Sequence, residues 1–231
     1  MPVSFTLHST PVASTANQST AYTGTSAAVV AGEILIGFVT AATNGGTGTM
    51  SGGGFTWTVL SSQTKLSNAD AVLVFWAQAT SSTSFAPSFT PAAGGAQGCM
   101  MTVIRVAGGT GDASVPGLQQ TIVTNTASTA NPTVTFGTAT LTTSGILLLA
   151  ANGTNSTAQF TAPTGFTELS ETAFNTPTNG AQVSTRTSGG TLTTYTWTNA
   201  NTTSWRTFGL EFTEGIATAF DPMGQMGFFG L

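Results

Sequence analysis

Charge is nearly missing from this chain: 4 Lys and Arg and 8 Asp and Glu make up 5% of its 231 residues, against roughly 25% in a typical globular domain. The four basic residues, Lys65, Arg105, Arg186 and Arg206, are scattered. Binding a phosphate backbone needs clustered cations that release counterions, so nucleic acid is not expected as a partner, nor is an anionic membrane surface. Cys99 is the single cysteine, which excludes an intrachain disulfide framework. His8 is the single histidine, so the chain lacks the Cys and His that a zinc site needs. No apolar run approaches the roughly 20 residues of a membrane-spanning helix. The start, MPVSFTLHST, has no basic segment followed by an apolar stretch, so no secretory signal is read there and synthesis in a host cytoplasm is expected.

What is present is core and hydroxyl. Hydrophobic residues reach 40%, with 15 Phe and 4 Trp, a composition that opposes disorder. There are 48 Thr. Threonine is β-branched and suits the solvent face of a pleated sheet, so the reading is strands with hydroxyl-rich outer faces. Such a surface lacks the charges that usually guard sheet edges against pairing, which favours a homo-oligomer or a structural protein packed against neighbours.

The chain repeats once. Residues 13–17 (ASTAN) return letter for letter at 127–131, GEILIGFV from Gly32 is answered by GILLLAA from Gly145, and Gly54-Phe55-Thr56 by Gly165-Phe166-Thr167. VIRV (103–106) is matched by GLEF (209–212), so the offset falls from 114 to 106 residues along the chain. A period this long marks a duplicated half, not a solenoid. Alternation in AVLVFWA, CMMTVIRV and RTFGLEF predicts strands, no segment keeps a helical apolar period, and very little helix is expected. The blocks at Gly32 and Gly145 are apolar on both faces and should be central strands covered on both sides. The fold class expected is all-β: one antiparallel β-sandwich, jelly-roll-like, over residues 1–214, built from pseudo-repeats at about 13–107 and 127–214.

A search for chemistry leaves little. His8 reads as a surface or strand residue and Cys99, opening the CMMTVIRV run, as a small buried hydrophobe. No GxSxG elbow, phosphate-binding GKS/T or DxDxDG loop occurs. Among the carboxylates Glu33, Asp70, Asp112, Glu168, Glu171, Glu211, Glu214 and Asp221, most are isolated, and Glu168 and Glu171 are the closest pair before the C-terminal one. A glycosidase could join two carboxylates from distant strands, though nothing in their spacing favours it. Trp57, Trp76, Trp197 and Trp205 read as core more readily than as a sugar platform. No catalytic, metal-binding or cofactor-binding residue is assigned. The tail, residues 215–231, breaks the pattern with Phe220, Met223, Met226, Phe228, Phe229 and Leu231 set between glycines. Flexible Met and Phe segments suit docking into a groove, so these six are read as assembly contacts of a C-terminal apolar arm.

The blocks GEILIGFV, GFTWTVL, AVLVFWAQA and CMMTVIRVAG, followed by GILLLAA, GFTEL, AQVSTRT and RTFGLEF, resemble a family of phage and prophage virion structural proteins. Those are Thr/Ser/Gly-rich all-β chains with a GDLLL-like strand, a G-W/F-T-x-L turn strand and an AVxYR-like strand, repeated once. The resemblance covers about residues 20–214; Glu33 and Phe55 depart from it, and the tail lies outside it. It implies a non-enzymatic subunit of a virion, with a capsid decoration or cement protein preferred and the major capsid protein as partner. A tail or fibre component binding host glycan is the alternative, and a glycan-cleaving enzyme the third reading. In the preferred reading the arm, or the N-terminal strand around Val3 to Leu7, docks on neighbouring capsid subunits.

Overall fold

Alternating apolar side chains make the blocks of this chain fold as antiparallel strands, and the two blocks that are apolar on both faces lie deepest. The structure, a computed structural model, describes residues 2–15, 19–42, 48–64, 71–92, 96, 98–108, 118–120, 123–127, 131–152, 160–175, 178–188, 190–199 and 205–213. The first half contains β1 (Ser4–Leu7), β2 (Val12–Ser14), β3 (Tyr22–Thr23), β4 (Ala27–Val29), β5 (Ile34–Ala41), β6 (Thr49–Ser51), β7 (Thr58–Thr64), β8 (Ala71–Gln78), β9 (Thr83–Phe85), β10 (Ser88–Thr90) and β11 (Cys99–Ala107). The second contains β12 (Val123–Ala127), β13 (Thr133–Thr135), β14 (Gly145–Asn152), β15 (Phe160–Thr161), β16 (Thr167–Asn175), β17 (Thr178–Arg186), β18 (Thr194–Thr196), β19 (Thr198–Asn199) and β20 (Trp205–Phe212). Among the described residues there is no helix, and every strand pairing is antiparallel.

Each half has one main sheet, and the strand orders correspond: β1-β11-β5-β8-β7, with β2 also on β11, and β12-β20-β14-β17-β16. The remaining strands form small covering sheets, β3-β10-β6 and β4-β9 in the first half, β13-β18 and β15-β19 in the second. The chain therefore passes between main and covering sheets in the same jelly-roll-like succession twice. The turn into the edge hairpin is repeated as well. Phe55 N–H bonds Gly52 O and Phe166 N–H bonds Pro163 O, while Gly54 and Gly165 take left-handed φ of 70° and 83°, which a side chain would strain.

A β-bulge gives a fiducial mark in each half. Leu60 is the extra residue in β7 opposite Phe75 and Val74, and Leu169 the extra residue in β16 opposite Ser184 and Val183. Counted from these bulges, Gly37 is equivalent to Leu148, Val103 to Gly209, and Ile34 to Gly145. The sequence match of Gly32 with Gly145 is thus displaced by two residues from the structural one, a shift that keeps every side chain on its face.

The two main sheets pack against each other. Ile34, Ile36 and Phe38 of β5 share one core with Leu147, Leu149 and Ala151 of β14 and with Phe208, Leu210 and Phe212 of β20. The opposite faces carry separate cores beneath the covering sheets: Val39, Ala41, Leu73 and Phe75 pack with Tyr22, Met50 and Phe89. Leu35 and Ala77 pack with Val29 and Phe85, and Ile146, Leu148 and Ala150 with Val134, Phe160, Tyr195 and Trp197. The result is four layers, cover, main sheet, main sheet, cover, and it explains why both central strands are apolar on both faces. β1 belongs to this body: Val3 and Phe5 are buried in the shared core, while Ser4 and Thr6 on its other face are exposed and the strand lies at the edge of its sheet.

Candidate functional site

Three polar clusters lie inside the described body. In the first, Glu33 stands in the turn that opens β5 and faces Arg105 of β11. Arg105 Nε donates to Glu33 Oε2 at 2.9 Å, Nη2 to Oε1 at 2.5 Å, and the Val30 N–H to Oε2 at 2.8 Å. Burial works against the carboxylate, but the guanidinium and the backbone N–H outweigh it and hold its pKa below the ordinary value. His8 lies beside this pair. Its Nε2 is 3.0 Å from Phe85 O, so that nitrogen carries the proton, and its ring stacks on Phe85 with centroids 4.2 Å apart. Nδ1 is buried and has no hydrogen-bond partner among the described residues. Burial lowers the His8 pKa, the Phe85 carbonyl opposes that, Arg105 lowers it further and Glu33 raises it; the net shift is downward. His8 is 3% exposed, so it is a core residue and not the surface or strand position read from sequence.

The second cluster is the counterpart of the first with its charge moved across. Glu211 of β20 is equivalent to Arg105, Ser144 to Glu33 and Leu141 to Val30, and the turn bond Glu33 N–H to Val30 O is repeated as Ser144 N–H to Leu141 O. Glu211 is fully buried and accepts from the Leu141 N–H at 2.6 Å, the Ser144 hydroxyl at 2.5 Å and Gln120 Nε2 at 2.6 Å. In both halves a carboxylate therefore fixes the N–H of the turn that leads into the central strand; only the element supplying it differs. Both are structural pins.

The third cluster centres on Gln182 of β17, whose equivalent in the first half is the core residue Leu73. Its amide donates to Phe160 O at 2.9 Å and Glu168 Oε2 at 3.0 Å, and its oxygen accepts from Trp197 Nε1 at 2.8 Å and the Ser184 hydroxyl at 2.9 Å. Every donor and acceptor of the amide is used. The bulge at Leu169 brings Glu168 and Glu171 onto one face, which three-residue spacing in a regular strand would not do. Glu171 Oε1 accepts the Phe160 N–H at 2.7 Å, so the two carboxylates hold β15 and Gln182 in place. They do not stand free across a cleft as the acid and base of a glycosidase must.

The tryptophans are dispersed: Trp197 and Trp205 are buried, Trp57 packs between two cores and Trp76 against the shared one. They form no stacking platform. Cys99 is buried and its thiol pKa is pushed up by desolvation, the small hydrophobe read from its sequence context. Among the described residues no three His, Cys, Asp or Glu side chains gather as metal ligands. Phe220, Met223, Met226, Phe228, Phe229 and Leu231, with Asp70, Asp112, Glu214 and Asp221, lie outside the described residues.

One open cleft of about 400 Å³ lies at the end of the second main sheet, lined by Phe5, Gly165, Thr167, Leu169, Thr185, Arg186, Thr187 and Ser188. Arg186 Nε donates to Ser188 O at 2.7 Å. Its guanidinium lies across Gly165 and Gly190, where a Cβ on either would come within 3.1 Å of Nη1. Its Nη groups have no acceptor among the described residues. Sequence reasoning missed both Gln182 and Arg186. A polar residue inside the apolar-flanked AQVSTR strand was the available signal for the first, and two flanking glycines for the second. Comparison of the chain with protein families, with curated proteins and with solved structures finds no match.

Proposed function

We propose that this chain is a non-enzymatic structural subunit of a phage particle, a head decoration protein that docks on neighbouring capsid subunits and braces them. The observation that carries this reading is the use made of polar groups: Glu33, Glu168, Glu171 and Glu211 each hold a turn, a strand or an amide of the body itself. What was duplicated is a scaffold, with its pins conserved in place and exchanged in identity. Its hydroxyl-rich, weakly charged surface suits contact with neighbours, where long ionic side chains would have to be desolvated or ordered. The brace acts by burying apolar surface between subunits, the arm 215–231 supplying Phe and Met for that purpose.

Particles made without the protein test this. They should assemble, lose resistance to heat or low salt, and regain it when the purified protein is added back. Particles that stay sturdy but fail to adsorb to cells would replace this reading with a tail or fibre component. Removing residues 215–231 should abolish incorporation; unchanged incorporation would remove the arm from the mechanism.

A further inference from the structure

We propose that His8 is an acid latch on the first half alone: when its ring takes a second proton, the ribbon β4–β9 lifts from the first main sheet at Phe85 and uncovers the apolar core beneath, while the second half stays closed. The latch belongs to the body and holds whatever that body assembles with. His8 joins two layers. Its backbone belongs to the main sheet, where its N–H bonds Val103 O at 2.8 Å, and its ring belongs to the cover, bonded through Nε2 to Phe85 O and stacked on the Phe85 ring. The neutral ring makes this joint with one proton. A second proton would sit on Nδ1, which is buried and has no acceptor among the described residues. Among those residues the charged groups that face the ring are Arg105 of β11 and Glu33 of the turn before β5; β1, β4 and β9 bring no titratable side chain. Arg105 already engages both oxygens of Glu33, at 2.9 and 2.5 Å, so the carboxylate is committed and does not turn to an imidazolium. A buried cation without a hydrogen-bond acceptor is driven toward water, and this ring reaches water only when one of its two layers gives way.

The cover is the layer that yields. On the main-sheet side, β1 pairs with β11 along its whole length, and Val3 and Phe5 are buried in the shared core. On the other side, β4 and β9 pair over three residues each, as a ribbon bonded to no third strand. A two-stranded ribbon is marginal without the surface it packs on. Its root stays fastened, by the Gly32 N–H to Ala79 O and the Ala31 N–H to the Ser82 hydroxyl, so the movement is a local opening and not an unfolding of the half. What it bares is the core of Val29, Leu35, Phe55, Ala77 and Phe85. The second half has no such latch. Val123 pairs with Gly209, on the rung equivalent to that of His8 and Val103. The ribbon β13–β18 is fastened by threonine hydroxyls, which do not titrate: Thr207 donates to Thr133 O and Thr140 to Leu192 O.

Amide hydrogen exchange on the full chain between about pH 7 and about pH 5 tests this, with each rate expressed as protection relative to the unfolded chain at the same pH. Glu33 keeps its charge over that range, because its pKa lies below the ordinary 4.5. Amides of β4 and β9 should lose protection as pH falls below about 6.5, by up to about tenfold per pH unit, the limit for one proton, while those of β13 and β18 in the same molecule keep theirs. His8→Gln keeps a donor toward Phe85 O but cannot take the proton, so it should hold the first ribbon closed at every pH. Equal loss in both ribbons, no loss in either, or a loss that persists in His8→Gln would overturn the latch. Should that variant fail to fold, the parent protein supplies the second test. His8 is the only histidine of the chain, so its imidazole resonance titrates without overlap. A midpoint below the ordinary 6.5 is expected, and one at or above it would overturn the latch as well.

Discussion

A buried imidazole with one bare nitrogen makes this body sensitive to acid. His8 has a folded pKa below its ordinary value of 6.5, so the unfolded chain binds a proton that the folded chain refuses. Its contribution is complete above the unfolded pKa and falls as pH drops toward the folded one. Glu33 adds a second step in the same direction: its lowered pKa gives stability that is present above about 4.5 and is lost as pH falls through the folded value. The melting temperature should decline between about pH 7 and about pH 5, and His8→Gln, which keeps a donor toward Phe85 O, should flatten that decline. An unchanged slope in the variant would exonerate His8. Gln182 makes a different demand. Gln182→Leu restores the residue type of Leu73 but strands the Trp197 N–H and the Phe160 carbonyl, a cost of about 2–4 kcal/mol by denaturant unfolding. Adding Trp197→Phe should cost less than the two single changes together, because the orphaned donor goes with it; strict additivity would show that the amide is not the partner that matters.

At the scale of elements, the bulges replace the missing charges. β7 and β16 end their sheets, and each bears its bulge near the start, where the irregularity disrupts the flat hydrogen-bonding edge that another chain could extend. Glycine does a related job at the covered faces. Gly37 and Gly209 occupy equivalent rungs on opposite strands, and a Cβ on Gly209 would stand 2.7 Å from the Phe136 ring and 2.9 Å from a Val134 methyl. Gly209→Ala should therefore cost about 1–3 kcal/mol, read as a lower denaturant midpoint with unchanged slope; a midpoint equal to the parent's would mean that the cover yields freely. These elements also show what a reader of the sequence sees. ILIGFV after Glu33 and GILLLAA announce two-faced burial because no polar residue interrupts them, and the four-layer stack answers that pattern. Glu168 and Glu171 do not announce a shared face, because an extra residue in the ladder leaves no compositional trace. Neither does the exchange of Glu33 for Glu211: a pin can be supplied from either of two strands, and only the pairing reveals that they do one task. The burial of His8 leaves no local sign either, because it depends on Phe85, a residue far away in sequence.

The whole molecule is held by the layer that neither half owns. Phe208 and Phe38 meet edge-on across it at 6.0 Å, and Phe5 meets Phe212 in the same way, so each half completes the other's inner face. A half removed from its partner would expose the inner faces of β5 and β14 to water, which argues that the duplication is preserved as one cooperative unit and not as two independent domains. Calorimetry of the full chain should show a single transition in which the van't Hoff and calorimetric enthalpies agree. Phe208→Ala removes a ring from the centre of the shared layer and should cost about 3–5 kcal/mol, or roughly 6–20 °C for a body of this size, while the transition stays single. The covering cores offer the contrast. Phe89→Ala acts beneath the first cover alone, yet because that cover rests on β5 and β8, which also form the shared layer, it too should shift one common transition. Two resolved transitions, with each variant moving only the one that belongs to its half, would show that the halves fold separately and that the central layer is a docking surface between finished domains.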